Sequence, residues 1–444
     1  NKIGMIFQEP MTALNPMSTI GDQVAETLVV HGAASRAEAL AVARERLARV
    51  GLPGDRFPLG RYPHELSGGQ RQRVCIAMAV ALRPKLLIAD EPTTALDVTT
   101  QAQILDLLKG LVAEEGMALW LITHDLAVVA DMADHVAVMR RGRIVEADRT
   151  EQLFKARTHP YTARLFADSS HVPVREARAK VAPVLEVRGA VRDYGLARRS
   201  LIGPRPLFRA VDGVDLTVRS GESVGLVGES GCGKSTLTRA ILGLEALQGG
   251  TVAVGGAPVV AGHLAAELRR KMQVVFQDPF GSFNPRHRVG RLVAEPFHLV
   301  DVPAEERRSR VAEALEAVGL TAGDAEKYIH EFSGGQRQRI AIARAIVIRP
   351  RLVILDEAVS ALDVSIRAQI LDLLAALQGR FGLSYLFISH DLSVVRAITD
   401  RVLVMRAGRI VEEGPTERVF AAPAHGYTRA LIAATPRIPE AWVA

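Results

Sequence analysis

The sequence predicts an α/β protein made of two tandem copies of one domain, each with a mostly parallel sheet and a helical subdomain. Three observations support this fold class. A long pattern recurs along the 444-residue chain, short apolar runs alternate with helical segments, and a glycine-rich loop joins one such run to a helix. Short apolar runs separated by helices are typical of parallel strands buried on both faces.

The internal repeat has a spacing of 266 residues. The matching segments are Ser67–Arg73 with Ser333–Arg339, Asp90-Glu91 with Asp356-Glu357, Thr123–Leu126 with Ser389–Leu392, and His159–Thr162 with His425–Thr428. Upstream, Phe7–Pro10 matches Phe276–Pro279 at a spacing of 269, so one three-residue indel separates the copies. A period this long indicates tandem domains rather than a solenoid of small repeats.

These matches predict a first domain over residues 1–168, a linker over 169–184 and a second domain over 185–444. The linker is polar, flanked by prolines and without sustained apolar periodicity. In the register of the repeat, the glycine-rich loop of the first copy would fall before residue 1. We therefore expect the first domain to be truncated at its N-terminal side. A naturally shortened first copy is the alternative, but residue 1 would then open inside a core strand, Ile3–Phe7.

The second copy carries the clearest strand signals. We expect strands at Glu222–Gly228, Gln273–Phe276, Leu352–Leu355, Leu383–Ile388 and Val402–Met405. Between residues 277 and 333 the pattern becomes helical, as in Arg307–Leu320, where apolar residues share one face. The first copy's counterpart begins with a capping box, Ser35 and Glu38. Both copies are thus predicted to contain a helical subdomain.

Composition limits the class of protein but does not name its partners. Hydrophobic residues make up 48% of the chain, yet no uninterrupted apolar run approaches the roughly 18 residues that span a bilayer. Cys75 and Cys232 fall in different predicted domains, which favours a reducing compartment and excludes a cluster ligated by four cysteines. The net charge of +6 comes from interleaved basic and acidic residues, as on an ordinary solvated surface.

The segment Gly228–Ser235 fits the pattern G-x-x-x-x-G-K-[ST] at every fixed position. Its glycines allow successive backbone N–H groups to point inward at phosphates, and the following helix adds its positive end. Lys234 is suited to the β- and γ-phosphates, and the Ser235 hydroxyl to Mg²⁺. A glycine-rich turn with an incidental lysine is the alternative. Because a strand precedes the loop and a helix follows it, we predict a nucleoside triphosphate site.

Two carboxylates close an apolar strand, and strand ends are where open α/β sheets place ligands. Asp356 is suited to hold Mg²⁺ through water, and Glu357 to orient or deprotonate the attacking water. A solvated turn is the alternative. Gln277 and His390 each follow a predicted strand, where they are placed to contact Mg²⁺ or the lytic water, and the γ-phosphate, respectively.

The two Ser-Gly-Gly-Gln segments begin predicted helices at Arg71–Leu82 and Arg337–Ile348. A serine, two glycines and a helix N-terminus form a second kind of anion site. An ordinary glycine-rich helix cap is the alternative.

Taken together and in this order, these motifs resemble those of the ATP-binding-cassette (ABC) ATPases. The resemblance covers nearly the whole chain. Its motifs are the phosphate loop, the glutamine after a strand, Leu66–Gln70, the Asp-Glu pair, Ala95–Asp97 and His124. The segments Gln8–Pro16, Asp90–Val98 and His159–Thr162 resemble the oligopeptide, dipeptide and nickel importer subfamily, including its fused double-ATPase members for microcin C and peptides.

The resemblance implies that two cassettes pair head to tail within the chain and hold ATP between them. It assigns ATP binding to the phosphate loop, to an aromatic residue and to the helix tip of the other domain: Gly228, Glu229, Ser230, Gly231, Cys232, Gly233, Lys234, Ser235, Thr236, Tyr194, Ser67, Gly68, Gly69 and Gln70. Phe208 is the alternative to Tyr194 for stacking on adenine, because the arginine-rich insertion 196–209 lies between them.

The resemblance also implies catalytic and metal-binding roles. The catalytic residues are Glu357, His390 and Gln277, and the ligands of Mg²⁺ are Ser235, Gln277 and Asp356. A second, incomplete site lacks a phosphate loop in this sequence and comprises Gln8, Asp90, Glu91, His124, Ser333, Gly334, Gly335 and Gln336.

By the same resemblance, the expected function is ATP hydrolysis that drives a peptide importer. The expected partners are two membrane permease subunits and an external solute-binding protein, with no nucleic acid. The expected location is the cytoplasmic face of the inner membrane, where the chain binds peripherally. A soluble tandem cassette acting on ribosomes or DNA is the rival interpretation, slightly favoured by the basic pI of 9.5. The sequence lacks the long charged arm and zinc-ligand cysteines of such relatives.

Overall fold

The computed structural model describes residues 2–94, 96–175, 182–195, 206–278, 281–360 and 362–443. These residues form two compact units. Unit 1 comprises residues 1–167 and 434–444, and unit 2 comprises residues 168–433. The units differ from the predicted domain boundaries at the C-terminus, because residues 434–444 belong to unit 1.

Unit 1 contains five strands and eight α-helices before the chain enters unit 2, counted over its described residues. The strands are β1 (Ile3–Ile6), β2 (Leu86–Asp90), β3 (Ala118–Ile122), β4 (His135–Arg140) and β5 (Arg143–Arg149). The helices are α1 (Pro10–Ala13), α2 (Ile20–Val30), α3 (Arg36–Arg49), α4 (Gly68–Val80), α5 (Val98–Glu115), α6 (Leu126–Met132), α7 (Thr150–Ala156) and α8 (Pro160–Ser169).

The strands of unit 1 form two separate sheets. The order β1-β2-β3 is parallel throughout, and β4 and β5 form an antiparallel hairpin. The register pairs Asp90 with Ile122, so the carboxyl ends of β2 and β3 lie at the same edge. Helices α2, α3 and α4 pack together beside this sheet, and their apolar residues share one core with Ile6 and Leu87.

Unit 2 contains ten strands and nine α-helices within its described residues. The strands are β6 (Pro183–Gly195), β7 (Leu207–Arg219), β8 (Ser223–Val227), β9 (Gly249–Val254), β10 (Ala257–Pro258), β11 (Met272–Val275), β12 (Leu352–Asp356), β13 (Ser384–Ile388), β14 (Arg401–Arg406) and β15 (Arg409–Pro415). The helices are α9 (Lys234–Ile241), α10 (Ala266–Lys271), α11 (Val289–Val293), α12 (Ala304–Ala317), α13 (Gly334–Ile346), α14 (Val364–Phe381), α15 (Leu392–Ile398), α16 (Thr416–Ala421) and α17 (Gly426–Ala433).

The main sheet of unit 2 has six strands in the order β11-β12-β13-β8-β14-β15. All neighbours are parallel except β14 and β15, which form a hairpin. A second, antiparallel sheet has the order β10-β9-β6-β7. Strands β8 and β13 are buried along their whole length, as the continuous apolar runs predict. The predicted mostly parallel sheet is confirmed for unit 2.

The helical segments agree with the sequence pattern in kind, with small shifts at their ends. The predicted helix Arg307–Leu320 extends over 304–317 in the structure, and its apolar face points into the core of unit 2. The predicted capping box at Ser35 is confirmed: the Ser35 side chain accepts from the backbone N–H of Glu38, and the Glu38 carboxylate accepts from the N–H of Ser35 at 2.9 Å.

The end of the chain adds a last helix, α18 (Glu440–Val443), to unit 1. Trp442 packs against Phe154 of α7 with their ring centroids 5.7 Å apart and nearly perpendicular. Arg157 donates to the backbone oxygen of Trp442 at 2.8 Å. Ile438 joins the same small core, which α6, α7 and α8 build with the β4–β5 hairpin.

The predicted linker, residues 169–184, falls inside unit 2, and two of its side chains pair with carboxylates of that unit. His171 lies 2.6 Å from the carboxylate of Asp372, and Arg175 lies 3.1 Å from that of Asp400. Residues 176–181 of the linker, 196–205 of the arginine-rich insertion, Ala95 of the Ala-Leu-Asp motif, and Pro279 and Phe280 after Gln277 lie outside the described residues. In the described ranges, none of the helices combines the length and apolar character needed to cross a bilayer.

Candidate nucleotide site

The phosphate loop, residues 228–235, connects β8 to α9 in unit 2. Gly233 has a left-handed backbone with φ of 112°, and a Cβ there would lie 2.2 Å from the carbonyl oxygen of Ala210. Only glycine fits such a position. The turn between β14 and β15 also supports the loop, because the Gly408 N–H donates to the carbonyl of Cys232 at 2.9 Å. The glycine pattern therefore has a steric cause.

Lys234 begins α9 and is almost fully buried, with 6% of its surface exposed. Its ammonium group donates to the carbonyls of Gly228 at 2.7 Å and Glu229 at 3.0 Å. The ammonium therefore lies inside the loop rather than in solvent. Ser235, which follows it, is exposed at the same helix end, and Thr236 is half-buried.

Four strands of unit 2 deliver the other predicted residues to one edge of the sheet. β12 ends at Asp356, β13 ends just before Ser389 and His390, and β11 ends just before Gln277, while β8 leads into the phosphate loop. The register aligns Asp356 with Ile388, and Ile388 with Leu226. The parallel arrangement thus gathers these side chains at the carboxyl ends of the strands.

Glu357 has an unusual backbone and a fixed partner. Its φ of 51° is left-handed, a conformation that non-glycine residues adopt at some energetic cost. Its N–H donates to the carbonyl of Ile388 at 2.8 Å, which fixes the peptide against β13. The His390 Nδ1 atom lies 3.2 Å from the Glu357 carboxylate. The structure therefore places His390 beside Glu357.

The two carboxyl groups at the end of β12 have opposite pKa shifts. Burial and the neighbouring Glu357 raise the pKa of Asp356 to about 6, against the opposing charges of Lys234 and Arg239. Burial also disfavours ionised Glu357, but the hydrogen bond and charge of His390, with Lys234, hold its pKa below the ordinary value. Glu357 is thus kept ionised, as a group that orients or accepts a proton from water must be.

Unit 1 repeats this arrangement with its own residues. Glu91 has a φ of 44°, and His124 Nδ1 lies 2.9 Å from its carboxylate. The hydrogen bond from His124 is the main cause that lowers the pKa of Glu91. Gln8 also donates to the Glu91 carboxylate, at 2.7 Å. The structure therefore gathers the predicted Gln8, Glu91 and His124 around the end of β2, where Asp90 lies.

Gln277, the equivalent of Gln8, behaves differently. Its side chain is exposed and makes no hydrogen bond within the described part of the chain. Among the described residues, Gln277 therefore makes no hydrogen bond to Glu357, whereas Gln8 donates one to Glu91.

The two Ser-Gly-Gly-Gln segments begin α4 and α13 with identical capping boxes. Ser67 accepts from the N–H of Gln70, and the Gln70 side chain accepts from the N–H of Ser67 at 3.0 Å. Gly69 allows close packing, because a Cβ there would lie 2.4 Å from a methyl group of Thr100. The equivalent residues of α13, which keep the same cap, are Ser333, Gly334, Gly335 and Gln336. Each helix presents exposed N-terminal backbone, with Ser67 and Gly68 open to solvent.

The two alternatives for adenine stacking lie opposite each other. Tyr194 of β6 is in register with Phe208 of β7. The hydroxyl of Tyr194 donates to Glu245, and the Arg192 guanidinium lies 4.6 Å from its ring centroid. Phe208 is 49% exposed. The two aromatic residues are thus a cross-strand pair on β6 and β7.

One residue at the site was missed by sequence reasoning. The Tyr427 hydroxyl, at the start of α17, accepts a hydrogen bond from the Glu229 N–H of the phosphate loop at 3.0 Å. The recurrence of the motif His-x-Tyr-Thr marked this residue, but a contact across 198 positions of sequence leaves no local signal.

Comparison with known proteins identifies the family of the chain. The ABC transporter family model matches residues 1–94 and 211–360, and a model for the oligopeptide/dipeptide transporter C-terminal region matches residues 411–443. The chain is 50% identical to the peptidoglycan transport ATP-binding protein YejF of Agrobacterium fabrum over 443 residues, covering 98% of this chain and 80% of that protein. It is 49% identical to the glutathione import ATP-binding protein GsiA of Escherichia coli (strain K12) over 464 residues, covering 98% and 74%.

Among solved structures, that of cbiO1 from Clostridium perfringens aligns with a TM-score of 0.48 and 28% identity, over 55% of this chain and 92% of that one. The family match and the two relatives place the chain in a class. The chain belongs to the ABC transporter family of ATP-binding proteins and carries the oligopeptide/dipeptide transporter C-terminal region. It is an ATPase of that family, as the sequence predicts.

Proposed function

We propose that this chain hydrolyses ATP in unit 2 to energise the import of peptides or peptide-like solutes. The observation that carries this proposal is the convergence of Lys234, Asp356, Glu357 and His390 at the strand ends beside the phosphate loop. The substrate class is supported by the C-terminal region over residues 411–443 and by relatives whose names refer to peptidoglycan and glutathione.

In this mechanism the phosphate loop binds the triphosphate through its backbone N–H groups and through Lys234. Glu357, held ionised beside His390, orients the attacking water and accepts its proton. The left-handed backbone of Glu357 fixes the carboxylate relative to β13. His390 holds Glu357 through Nδ1, which leaves Nε2 to contact the γ-phosphate.

Mg²⁺ fits the residues at the end of β12. The Asp356 carboxylate accepts no hydrogen bond from the described residues, and its pKa, raised to about 6 by burial and by Glu357, indicates a half-buried carboxylate whose negative charge has weak compensation. A bound cation would supply that compensation. The ligands that we propose for the ion are the Asp356 carboxylate, the Ser235 hydroxyl, phosphate and water. Mg²⁺ would neutralise charge on the phosphates, and Gln277 is its third proposed contact.

We further infer that the two cassettes pair within the chain. The helix tip of unit 1, residues 67–70, would complete the ATP site of unit 2. The helix tip of unit 2, residues 333–336, would face the second site around Glu91. The two tips have the same capping box, so substitutions at them disturb their helices equally. The required partners are two permease subunits and an external solute-binding protein, at the cytoplasmic face of the inner membrane, with no nucleic acid.

The first test is ATP binding and hydrolysis by the wild-type chain and by Lys234→Ala. We expect Lys234→Ala to lose both activities while its circular dichroism stays unchanged. Equal hydrolysis by the two proteins would refute the assignment of the site to unit 2.

The second test uses the matched pair Ser67→Ala and Ser333→Ala. Each loses a helix cap, worth about 1 kcal/mol. If the cassettes pair as proposed, Ser67→Ala lowers hydrolysis several-fold and Ser333→Ala leaves it near the wild-type rate. The same rate in both variants would contradict the pairing.

The third test addresses transport. Co-expression with the permease subunits should allow the chain to be purified with them. Uptake of a labelled dipeptide into vesicles should then require ATP and an intact Glu357. Uptake that is unaffected by Glu357→Gln would argue against the importer.

A further inference from the structure

The C-terminal region matched by the oligopeptide/dipeptide transporter model contacts the phosphate loop directly. Tyr427 is half-buried at the start of α17, and its hydroxyl accepts from the Glu229 N–H at 3.0 Å. Glu229 is the second residue of the loop, and its carbonyl accepts from the Lys234 ammonium at 3.0 Å. The backbone of Glu229 is therefore held at its N–H by Tyr427 of the C-terminal region and at its carbonyl by Lys234.

Contacts independent of the loop fix the position of Tyr427. The Arg406 guanidinium, at the end of β14, lies 4.9 Å from the centroid of the Tyr427 ring. The Glu412 carboxylate of β15 accepts from the N–H groups of Ala424 at 2.7 Å and His425 at 3.0 Å, just before α17. The Tyr427 N–H in turn donates to the imidazole Nδ1 of His425 at 3.1 Å. The hydroxyl therefore reaches the loop from a prearranged support, at low cost in conformational entropy.

This support is itself part of the loop's surroundings. The turn that follows Arg406 contains Gly408, whose N–H donates to the carbonyl of Cys232 in the loop. The β14–β15 hairpin therefore contacts the loop at Cys232 and places Tyr427 against the loop at Glu229. The loop is therefore supported at two points, Cys232 and Glu229.

The direction of the hydrogen bond determines what Tyr427 can do. A backbone N–H that donates to tyrosine does not point at a phosphate, so Tyr427 selects which N–H groups of the loop face the nucleotide. An ammonium group has three N–H donors, so Lys234 can contact a β- or γ-phosphate while it still donates to the carbonyls of Gly228 and Glu229. With nucleotide bound, the Tyr427 hydroxyl would still orient the Glu229 peptide.

We propose that Tyr427 is a positioning residue that holds the phosphate loop in its nucleotide-binding conformation, and that the C-terminal region thereby sets the affinity for ATP. This inference rests on the proposed ATP site of unit 2. In this role, the tyrosine of the His-x-Tyr-Thr motif supports the phosphate loop of its own cassette.

Unit 1 supplies a matched control. Tyr161 is the equivalent of Tyr427 and is held in the same way, with the Arg140 guanidinium 4.7 Å from its ring centroid and its N–H donating to His159 Nδ1 at 3.1 Å. Glu146 accepts from the N–H groups of Thr158 and His159, as Glu412 does in unit 2. Residues 1–183 contain no phosphate-loop motif, so the Tyr161 hydroxyl has no such loop of its own copy in this sequence.

The experiment compares the variants Tyr427→Phe and Tyr161→Phe of the 444-residue chain with the unsubstituted chain. Phenylalanine keeps the ring and its contact with arginine and removes only the hydroxyl. A net hydrogen bond of ordinary strength corresponds to a 3- to 10-fold change in an equilibrium constant, roughly. For Tyr427→Phe we expect the dissociation constant of a fluorescent ATP analogue and the KM for ATP to rise by about that factor, with kcat changed less. For Tyr161→Phe we expect no change in either constant.

Hydrogen exchange provides a readout that does not depend on hydrolysis. Without nucleotide, the peptide containing Glu229 should exchange faster in Tyr427→Phe than in the wild type, while the rest of unit 2 stays protected. Unchanged exchange together with unchanged affinity would overturn the proposal, and so would equal effects of Tyr427→Phe and Tyr161→Phe. Lys234→Ala distinguishes a failure of the proposed ATP site from a failure of the proposed role of Tyr427. If Lys234→Ala leaves the affinity for the ATP analogue intact, the proposed ATP site itself is wrong. If it abolishes binding and Tyr427→Phe does not weaken it, only the role of Tyr427 fails.

Discussion

The two units contain the same sequence pattern 266 residues apart, yet matching positions differ in burial. Ile122 closes β3 in unit 1 and is 43% exposed, whereas Ile388 closes β13 in unit 2 and is 1% exposed. Met139 of β4 is 61% exposed, and Met405 of β14 is fully buried. The residue types are identical within each pair, so the difference lies in what surrounds them.

Strand β8 accounts for the difference. In unit 2 it hydrogen-bonds to β13 on one side and β14 on the other, and so joins them into one sheet. Among the described residues of unit 1, β3 and β4 belong to separate sheets. The phosphate loop follows β8 directly, so the strand that buries the centre of the sheet also delivers the loop. Core formation and nucleotide binding thus depend on one element of unit 2.

The largest expected effect separates the catalytic carboxylates of the two units. Glu357→Gln should lower ATP hydrolysis by roughly 100-fold or more, because the amide cannot accept a proton from water. In the 444-residue chain, Glu91→Gln, at the matching position, should retain most of the hydrolysis, because residues 1–183 of this sequence contain no phosphate-loop motif. A steady-state phosphate-release assay checks both.

ATP binding provides the control for this pair. Glu357→Gln should bind a fluorescent ATP analogue as tightly as the wild type, because Lys234 and the loop are untouched. If Glu91→Gln abolished hydrolysis as completely as Glu357→Gln, the two carboxylates would be equally necessary for hydrolysis, and the predicted difference between the units would be wrong.

The second prediction concerns burial. Ile388→Ala removes a fully buried side chain and should lower the free energy of unfolding of unit 2 by about 3 kcal/mol. Ile122→Ala removes the same atoms from a partly exposed position and should cost unit 1 less than about 1 kcal/mol. Denaturant titration followed by circular dichroism, with fluorescence for unit 1, measures both.

Both tryptophans of the chain lie in unit 1, so tryptophan fluorescence reports that unit alone. The Ile388→Ala transition should therefore shift in circular dichroism and leave the fluorescence transition in place. An equal loss of stability in the two variants would show that β8 does not account for the difference in burial.

Much of this arrangement was predictable because it depends on local sequence. The apolar runs of β8, β12 and β13 predict buried parallel strands, and strand ends predict where Asp356 and Glu357 meet the loop. The capping boxes at Ser35 and at the two Ser-Gly-Gly-Gln segments follow from spacing alone. These features require no knowledge of distant residues.

Other features depend on contacts between distant residues and could not be predicted. Tyr427 reaches Glu229 through the placement of α17, which Arg406 and Glu412 determine. Trp442 lies on unit 1 although the repeat assigns it to the second domain. The different contacts of Gln8 and Gln277 are also invisible in the sequence, since both follow a strand in the same motif.

The third prediction tests the docking of the chain's end on unit 1. Trp442 packs against Phe154 and is half-buried, whereas Trp120, the other tryptophan, is 60% exposed. Trp442→Ala should lower the free energy of unfolding of unit 1 by about 2 kcal/mol, because it removes the indole ring that packs against Phe154 of α7. Trp120→Ala should change it by less than about 0.5 kcal/mol.

Each of these variants keeps one tryptophan, so fluorescence follows unit 1 in both. In the wild type, emission from the packed Trp442 should be shifted to shorter wavelength than that from Trp120. A Trp442→Ala protein as stable as the wild type would mean that residues 434–444 do not contribute to unit 1.

The smallest expected effect compares equivalent helices of the two helical subdomains. Helix α3 of unit 1 begins with the Ser35 capping box, whereas α12 of unit 2 begins after Pro303, which provides no side-chain cap. Ser35→Ala should cost unit 1 about 1 kcal/mol, while Pro303→Ala should leave unit 2 nearly unchanged. Denaturant midpoints of the two variants measure this difference.

The effect of Ser35→Ala should also depend on pH with a definite sign. The hydrogen bonds from the Ser35 side chain and backbone lower the pKa of Glu38 below its usual value of 4.5. A carboxyl group whose pKa is lowered by folding adds stability above its unfolded pKa and loses it as the pH falls through the folded pKa. The stability gap between wild type and Ser35→Ala should therefore be full at pH 7 and shrink below about pH 4. A gap that stayed constant to pH 3 would mean that the serine, rather than its exchange of hydrogen bonds with Glu38, accounts for the whole cap.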